Sequence, residues 1–171
     1  MALNGLNLKE KTEKLMDSVG WCILEELQAD ARINFVELGR RVGLSSPAVA
    51  ERVRRMEEAG IIRGYRALVD PTKVGLPIEA IIRIRTNDCR IAMDRITGQY
   101  DNFPEILNCY RITGEDSLVM HVAASGMPHL ESLVDRLHIY GDTITSIVFT
   151  TFEGRGVSRA MTPLVEVDDE D

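Results

Sequence analysis

The chain has 171 residues, 44% of them hydrophobic, with 20 basic against 27 acidic side chains for a formal net charge of −7. That length holds one ordinary domain or two small ones. No apolar run approaches the ~20 residues that span a bilayer, and the start MALNGLNLKEKTEK lacks the apolar stretch of a secretory signal, so a cytoplasmic protein with no membrane partner is expected.

The three cysteines, Cys22, Cys89 and Cys109, are odd in number, widely spaced and free of any C-x-x-C pattern. Idle or buried thiols are expected. The acidity, which would oppose a nucleic-acid partner, is unevenly spread. Residues up to Asp70 carry eleven basic and eleven acidic side chains, so the whole excess lies beyond them. Much of it falls at the end, in Glu166, Asp168, Asp169, Glu170 and Asp171, which read as a solvated acidic tail.

Residues 1 to about 15 are polar and weakly patterned, an extra helix or a frayed arm. Met16 to Gln28 reads as a helix with Val19, Cys22, Ile23 and Leu27 on one face. After the connector Ala31–Asn34, Phe35, Leu38, Gly39 and Val42 fall at i, i+3, i+4 and i+7, a second inward stripe. Gly43 can close that helix in the left-handed conformation. Ser45 is a natural N-cap for a third helix, with Ser46 and Pro47 in its first turn and Val49, Val53 and Met56 as its buried stripe. Two helices joined by a short glycine turn make a helix-turn-helix, whose second helix can enter a DNA major groove. Gly60 ends that helix, Ile61 to Val69 reads as a strand, and Asp70-Pro71, Gly75 and Pro77 make a punctuated linker.

The second half alternates differently. Strands are expected at Ile78–Arg85, Ile106–Thr113, Leu118–Ala124 and Ile144–Phe152. Helices are expected at Arg90–Tyr100, with Ala92, Ile96 and Tyr100 inward, and at Met127–Tyr140, with Leu130, Leu133, Val134 and Leu137 inward. The order β-α-β-β-α-β is the ferredoxin-like split unit. The expected architecture is therefore α+β: an N-terminal three-helix, winged-type helix-turn-helix domain over residues 1–64, and a strand and linker over 65–77. A ferredoxin-like domain over 78–153 and the acidic tail 154–171 complete it. In the last strand Ile144, Val148 and Phe152 point one way and Ile147 and Phe149 the other. In the first, Ile81 opposes Ile78, Ala80, Ile82 and Ile84. A sheet covered by helices on one side is normally polar on the other, so apolar residues on both faces imply an obligate homodimer, sheet on sheet.

These modules, in this order, resemble the Lrp/AsnC family, the leucine-responsive or feast/famine transcriptional regulators. The matching runs are Met16-Asp17, Ile23-Leu24, Leu27-Gln28, Arg32-Ile33, Glu37-Leu38, Val42-Gly43-Leu44-Ser45, Arg52-Val53 and Glu58-Ala59-Gly60-Ile61-Ile62 with Gly64-Tyr65. Further on come Cys109 through Gly114, Thr145 and Ile147-Val148. The likeness spans roughly residues 16 to 152. It implies a DNA-binding helix-turn-helix joined to an effector-sensing domain, and dimers that associate further, from tetramer to octamer. The chain departs from the family at Gly20, where an acidic residue is frequent, and at the tight turn Gly114-Glu115-Asp116-Ser117.

Arg55 lies four residues after Glu51, and Glu58 four after Arg54, so both arginines can be held in surface pairs. Arg52 has no acidic neighbour on its own helix and is the arginine most expected to contact phosphate or guanine. Arg54, Arg55, Arg40 and Arg41 follow it, and Ser45 and Ser46 can hold a phosphate at the helix N-terminus. Two recognition helices in a dimer would meet operator half-sites about one helical turn (~34 Å) apart. The residues 114–116 are at least a hairpin turn. Under the resemblance, turns from neighbouring dimers would enclose a small amino acid, with Thr113, Gly114, Asp116, Thr145 and Ser146 as the nominated contacts. His121, His129 and His138 share no i, i+4 spacing and have no ligand cluster beside them, so no metal is expected. Gly154-Arg155-Gly156 is no phosphate loop and Gly114-Glu115-Asp116-Ser117 no nucleophile elbow. Neither an enzyme nor a cofactor is expected. The alternative is a metabolite-binding oligomer whose helix-turn-helix contacts protein rather than DNA.

Overall fold

Asp17 starts the first helix, its Oδ1 accepting from the Gly20 amide at 2.8 Å. In a computed structural model describing residues 12, 14–152, 154 and 156–161, that helix is α1 (Ser18–Ala29). The arm at residues 1–11 and the acids of residues 162–171 lie outside the described residues. The next helix, α2 (Phe35–Val42), is capped by Asn34 and closed by Gly43 at φ 72°. The third, α3 (Ser46–Glu58), is capped by Ser45, with Pro47 in its first turn. Ile23, Leu27, Leu38, Val49, Val53 and Met56 form one buried cluster. Each fully buried aliphatic contributes about 1.5–3 kcal/mol, so this cluster, rather than any surface pair, holds the three helices together. Cys22 and Phe35 are not part of it: both are exposed, while Val19, as expected, and Leu24, which was not, pack beside the core.

The strand expected at Ile61–Val69 does not form. Arg63 to Asp70 have no ladder partner among the described residues, and Tyr65, Leu68 and Val69 are exposed. A one-turn 3-10 helix, Pro71–Val74, follows. The second unit then lays down β1 (Ile78–Arg85), α4 (Cys89–Thr97), β2 (Ile106–Arg111), β3 (Leu118–Ala124), α5 (Met127–His138) and β4 (Asp142–Ile147). The sheet is antiparallel with order β2-β3-β1-β4, the ferredoxin-like topology. Ala80, Ile82, Ile84, Leu118, Met120 and Val122 meet Ala92, Ile96, Leu130, Leu133 and Leu137 in its core. Buried Glu105 is satisfied at one oxygen, accepting from Arg136 and bonding His129 Nε2 at 2.9 Å, which ties the start of β2 to α5.

Two boundaries differ from expectation. β4 ends at Ile147, leaving Phe149 and Phe152 almost wholly exposed at 97% and 89%. Residues 156–161 are not a free tail. The chain divides into two compact units, one of them 68–152, and residues 156–161 belong with the helix-turn-helix in the other. There the Gln28 side chain donates to the Val157 carbonyl at 2.8 Å and accepts from the Val157 amide at 2.7 Å.

Candidate nucleic-acid interface and effector turn

The period of α3 decides which side chains can meet a ligand. Val49, Val53 and Met56 turn inward. Pro47, Ala48, Arg54, Arg55 and Glu58 face out, with half-exposed Glu51 among them. Ser45 caps the helix, its Oγ accepting from the Ala48 amide at 3.4 Å, and Ser46 is the first helical residue. Both sit beside the positive end of the helix dipole.

The exposed arginines are held in a network of carboxylates. Glu51 and Arg54 form a two-point fork, Nε to Oε2 at 2.9 Å and Nη2 to Oε1 at 2.8 Å. Arg55 Nε reaches the same Oε1 at 2.7 Å, and Arg54 Nη1 also donates to Glu58. These bonds, Arg54's first and Arg55's second, bring the Glu51 carboxyl down to about 2. On α2, Glu37 accepts from Arg40 at 2.9 Å and Arg41 at 2.8 Å, and is likewise lowered to about 2. Arg41 also reaches Glu26 at 2.6 Å.

Arg52 is not the unpaired arginine its own helix suggests. It donates to Asp17 on the approach to α1, its side chain is 24% exposed, and its Nε is buried without a hydrogen-bond partner among the described residues. Burial opposes ionisation of Asp17, but the Gly20 amide and Arg52 outweigh it and the pKa falls. The pair bolts the start of α1 to α3. Gly20 itself is explained by the same junction, since a Cβ there would lie 1.9 Å from the Leu15 carbonyl oxygen. An acidic side chain cannot fit.

A groove of about 710 Å³ runs beside α3, lined by Lys14, Leu15, Leu44, Ala48, Arg52 and Arg55 among others. Lys14 thus shares a surface with Arg55. The weak patterning of residues 1 to 15 hid this cation, which stands beside buried Leu15 at the groove.

The turn between β2 and β3 is well defined. Ile112 donates to the Ser117 carbonyl at 3.0 Å, and Ser117 Oγ donates to the Thr86 carbonyl at 3.0 Å. Gly114 adopts φ 121° with open space around it. Thr113 is exposed, and Asp116 faces Arg83 at 3.9 Å. Thr145 and Ser146 lie on β4, beyond β3 and β1 from that turn. They occupy opposite faces, Thr145 opposite Ile82 and Ser146 opposite Ile81. One chain therefore does not gather the nominated effector residues into one pocket. Among the described residues, no three His, Cys, Asp or Glu side chains cluster as metal ligands, and no helix is long and apolar enough to cross a membrane.

Comparison with known proteins matches both halves. The AsnC-type helix-turn-helix domain matches residues 16–57, and the Lrp/AsnC ligand binding domain residues 79–157. The HTH-type transcriptional regulator LrpC of Bacillus subtilis is 34% identical over 144 residues, covering 82% of this chain and 99% of that relative. A transcriptional regulator of Neisseria meningitidis, solved in complex with L-methionine, superposes with a TM-score of 0.74 at 30% identity, covering 82% of this chain and 94% of that one. A feast or famine regulatory protein from M. tuberculosis, complexed with L-methionine, gives 0.73 at 33% identity, covering 81% and 95%. With an antiparallel split sheet behind a serine-capped helix-turn-helix, and both modules matched along their length, this chain belongs to the Lrp/AsnC family of DNA-binding transcriptional regulators.

Proposed function

We propose that this regulator binds operator DNA as a homodimer through the outer face of α3, and that a small amino acid tunes its affinity or assembly. The observation that carries the DNA reading is the outward fan of Arg54 and Arg55 in the later turns of the helix that Ser45 and Ser46 open. Ser45, Ser46, Lys14, Arg40 and Arg41 are assigned to phosphates, and Arg54 and Arg55 to phosphates or base edges. Arg52 is reassigned as the residue that positions α3. Selection of bound fragments from a random duplex pool tests the reading, followed by Arg55→Ala on the selected operator. Affinity should fall, and the slope of log K against log salt should flatten by about one unit. Unchanged affinity and slope would remove α3 from the interface.

The dimer is supported by the open face of the sheet. One row across it runs Tyr110, Val119, Arg83, Ile144, and the next holds Asn108, His121, Ile81, Ser146. Tyr110 and Ile144 are 55% and 48% exposed, so with Val119 between them the uncovered side of the sheet offers apolar surface that a second copy can bury. The unpaired stretch Arg63–Asp70, with exposed Tyr65, Leu68 and Val69, is a second place where another copy would supply a ladder partner. The amino-acid effector is supported by the L-methionine complexes of two structural neighbours. Because Gly114 and Asp116 stand apart from Thr145 and Ser146 within one chain, the binding site would draw on more than one copy. A thermal-shift screen of the twenty amino acids tests it, since a ligand of the native state raises the midpoint. No shift from any of them would leave the second unit as an assembly module.

A further inference from the structure

We infer that Glu51 is a specificity-determining residue: it holds Arg54 and Arg55 in a fixed fan and itself accepts a hydrogen bond from the amino group of a cytosine in each operator half-site. The inference rests on α3 being the helix that enters the major groove.

Glu51 sits midway along the exposed face of α3, a turn after Ala48 and a turn before Arg54 and Arg55. A carboxylate offers about four acceptor positions. Three are used here, by Arg54 Nη2 and Arg55 Nε on Oε1 and by Arg54 Nε on Oε2. One position on Oε2 stays open. The carboxyl is ionised near neutrality, as an ordinary glutamate is, and the two guanidinium groups hold it lower still, at about 2.

An ionised carboxylate in the major groove meets mostly acceptors. Guanine shows N7 and O6, thymine O4, and the backbone its phosphates, and each repels it. The only donors are the amino groups of cytosine and adenine. Adenine's amino group has an acceptor on either side, its own N7 and the O4 of the paired thymine, whereas cytosine's has one, the O6 of the paired guanine. Cytosine therefore suits the open Oε2 best. Its paired guanine then presents O6 and N7 to an arginine fork, and Arg55, whose terminal nitrogens have no partner among the described residues, lies on the same carboxylate. Glu51 thus contributes selection by repulsion as well as by attraction.

The test is parallel selection of duplex half-sites by the wild-type protein, Glu51→Gln, Glu51→Ala and Arg55→Ala, each checked for wild-type circular dichroism. The wild-type motif should contain one cytosine per half-site that Glu51→Gln replaces by adenine, since glutamine pairs with adenine N6 and N7. Glu51→Ala should lose discrimination at that position by roughly tenfold or more and keep the other positions. If Arg55→Ala weakens binding while both Glu51 variants select the wild-type motif unchanged, Glu51 does not read the sequence and the inference fails alone. If Arg55→Ala binds like wild type, α3 is not the reading helix and both readings fall.

Discussion

The arginine with no acidic neighbour along its own helix turns out to be the one tied to a different helix, and this decides what its loss should do. Arg52 and Asp17 are 35 positions apart in the chain, so helical spacing, which reveals partners three and four residues away, could not show the pair. Asp17 also caps α1. Asp17→Ala should therefore lower stability by about 1 kcal/mol, and Arg52→Ala by about 1–2 kcal/mol, both measured by urea unfolding. Arg52→Ala should leave the salt slope of DNA binding unchanged, unlike Arg55→Ala.

Glu37 and Glu51 make a pH prediction of definite sign. Their folded pKa, about 2, lies below the ordinary 4.5. Each contribution is thus complete above 4.5 and is lost as pH falls from 4.5 towards 2. Carboxyl NMR titration should give Glu51 a midpoint near 2. A midpoint at the ordinary value would mean that the fork with Arg54 does not persist in solution. Being exposed, these pairs orient charge far more than they stabilise the fold.

At the scale of elements, the pieces with a one-sided apolar stripe were legible, and those defined by a neighbour were not. The stripes Val49-Val53-Met56 and Leu130-Leu133-Leu137 bury as the period requires. Ile61–Val69 has strand-forming residues, yet a strand exists only where a ladder partner lies alongside, and the described residues of one chain provide none. β4 stops at Ile147 for a related reason. It is an edge strand, and only the Val148 amide, donating to the Glu79 carbonyl at 2.9 Å, extends its pairing. Glycine is equally a matter of neighbours. Gly-to-Ala inside a helix normally gains about 1 kcal/mol, but Gly20→Ala would drive a methyl into the Leu15 carbonyl. The thermal midpoint should fall rather than rise. Gly39→Ala should behave likewise, since its Cβ would lie 2.5 Å from the Leu44 carbonyl oxygen, where the turn between α2 and α3 is set.

At the scale of the whole molecule, the two-sided apolar pattern of Ile81 and Ile144 was readable as a surface in need of cover. Its register was not, because pairing across β2, β3, β1 and β4 is non-local. Val119→Glu, at the centre of the Tyr110–Ile144 row, should shift the sedimenting mass to that of a monomer. An unchanged mass would place the contact between copies elsewhere. The nominated effector contacts were legible only as a turn and a strand, and within one chain the two stand apart.

The clasp between Gln28 and Val157 has a further consequence. Because residues 156–161 fall in the same compact unit as the helix-turn-helix, the sheet-bearing unit is set within it in the sequence, with a connection on either side. A single proteolytic nick in the exposed stretch between residues 63 and 70 would sever one connection and spare the other. The two exposed side-chain bonds to Val157, worth about 1 kcal/mol each, are too few to hold the fragments, which should separate on native gel filtration. The linker would be the cut that parts the helix-turn-helix from the sheet.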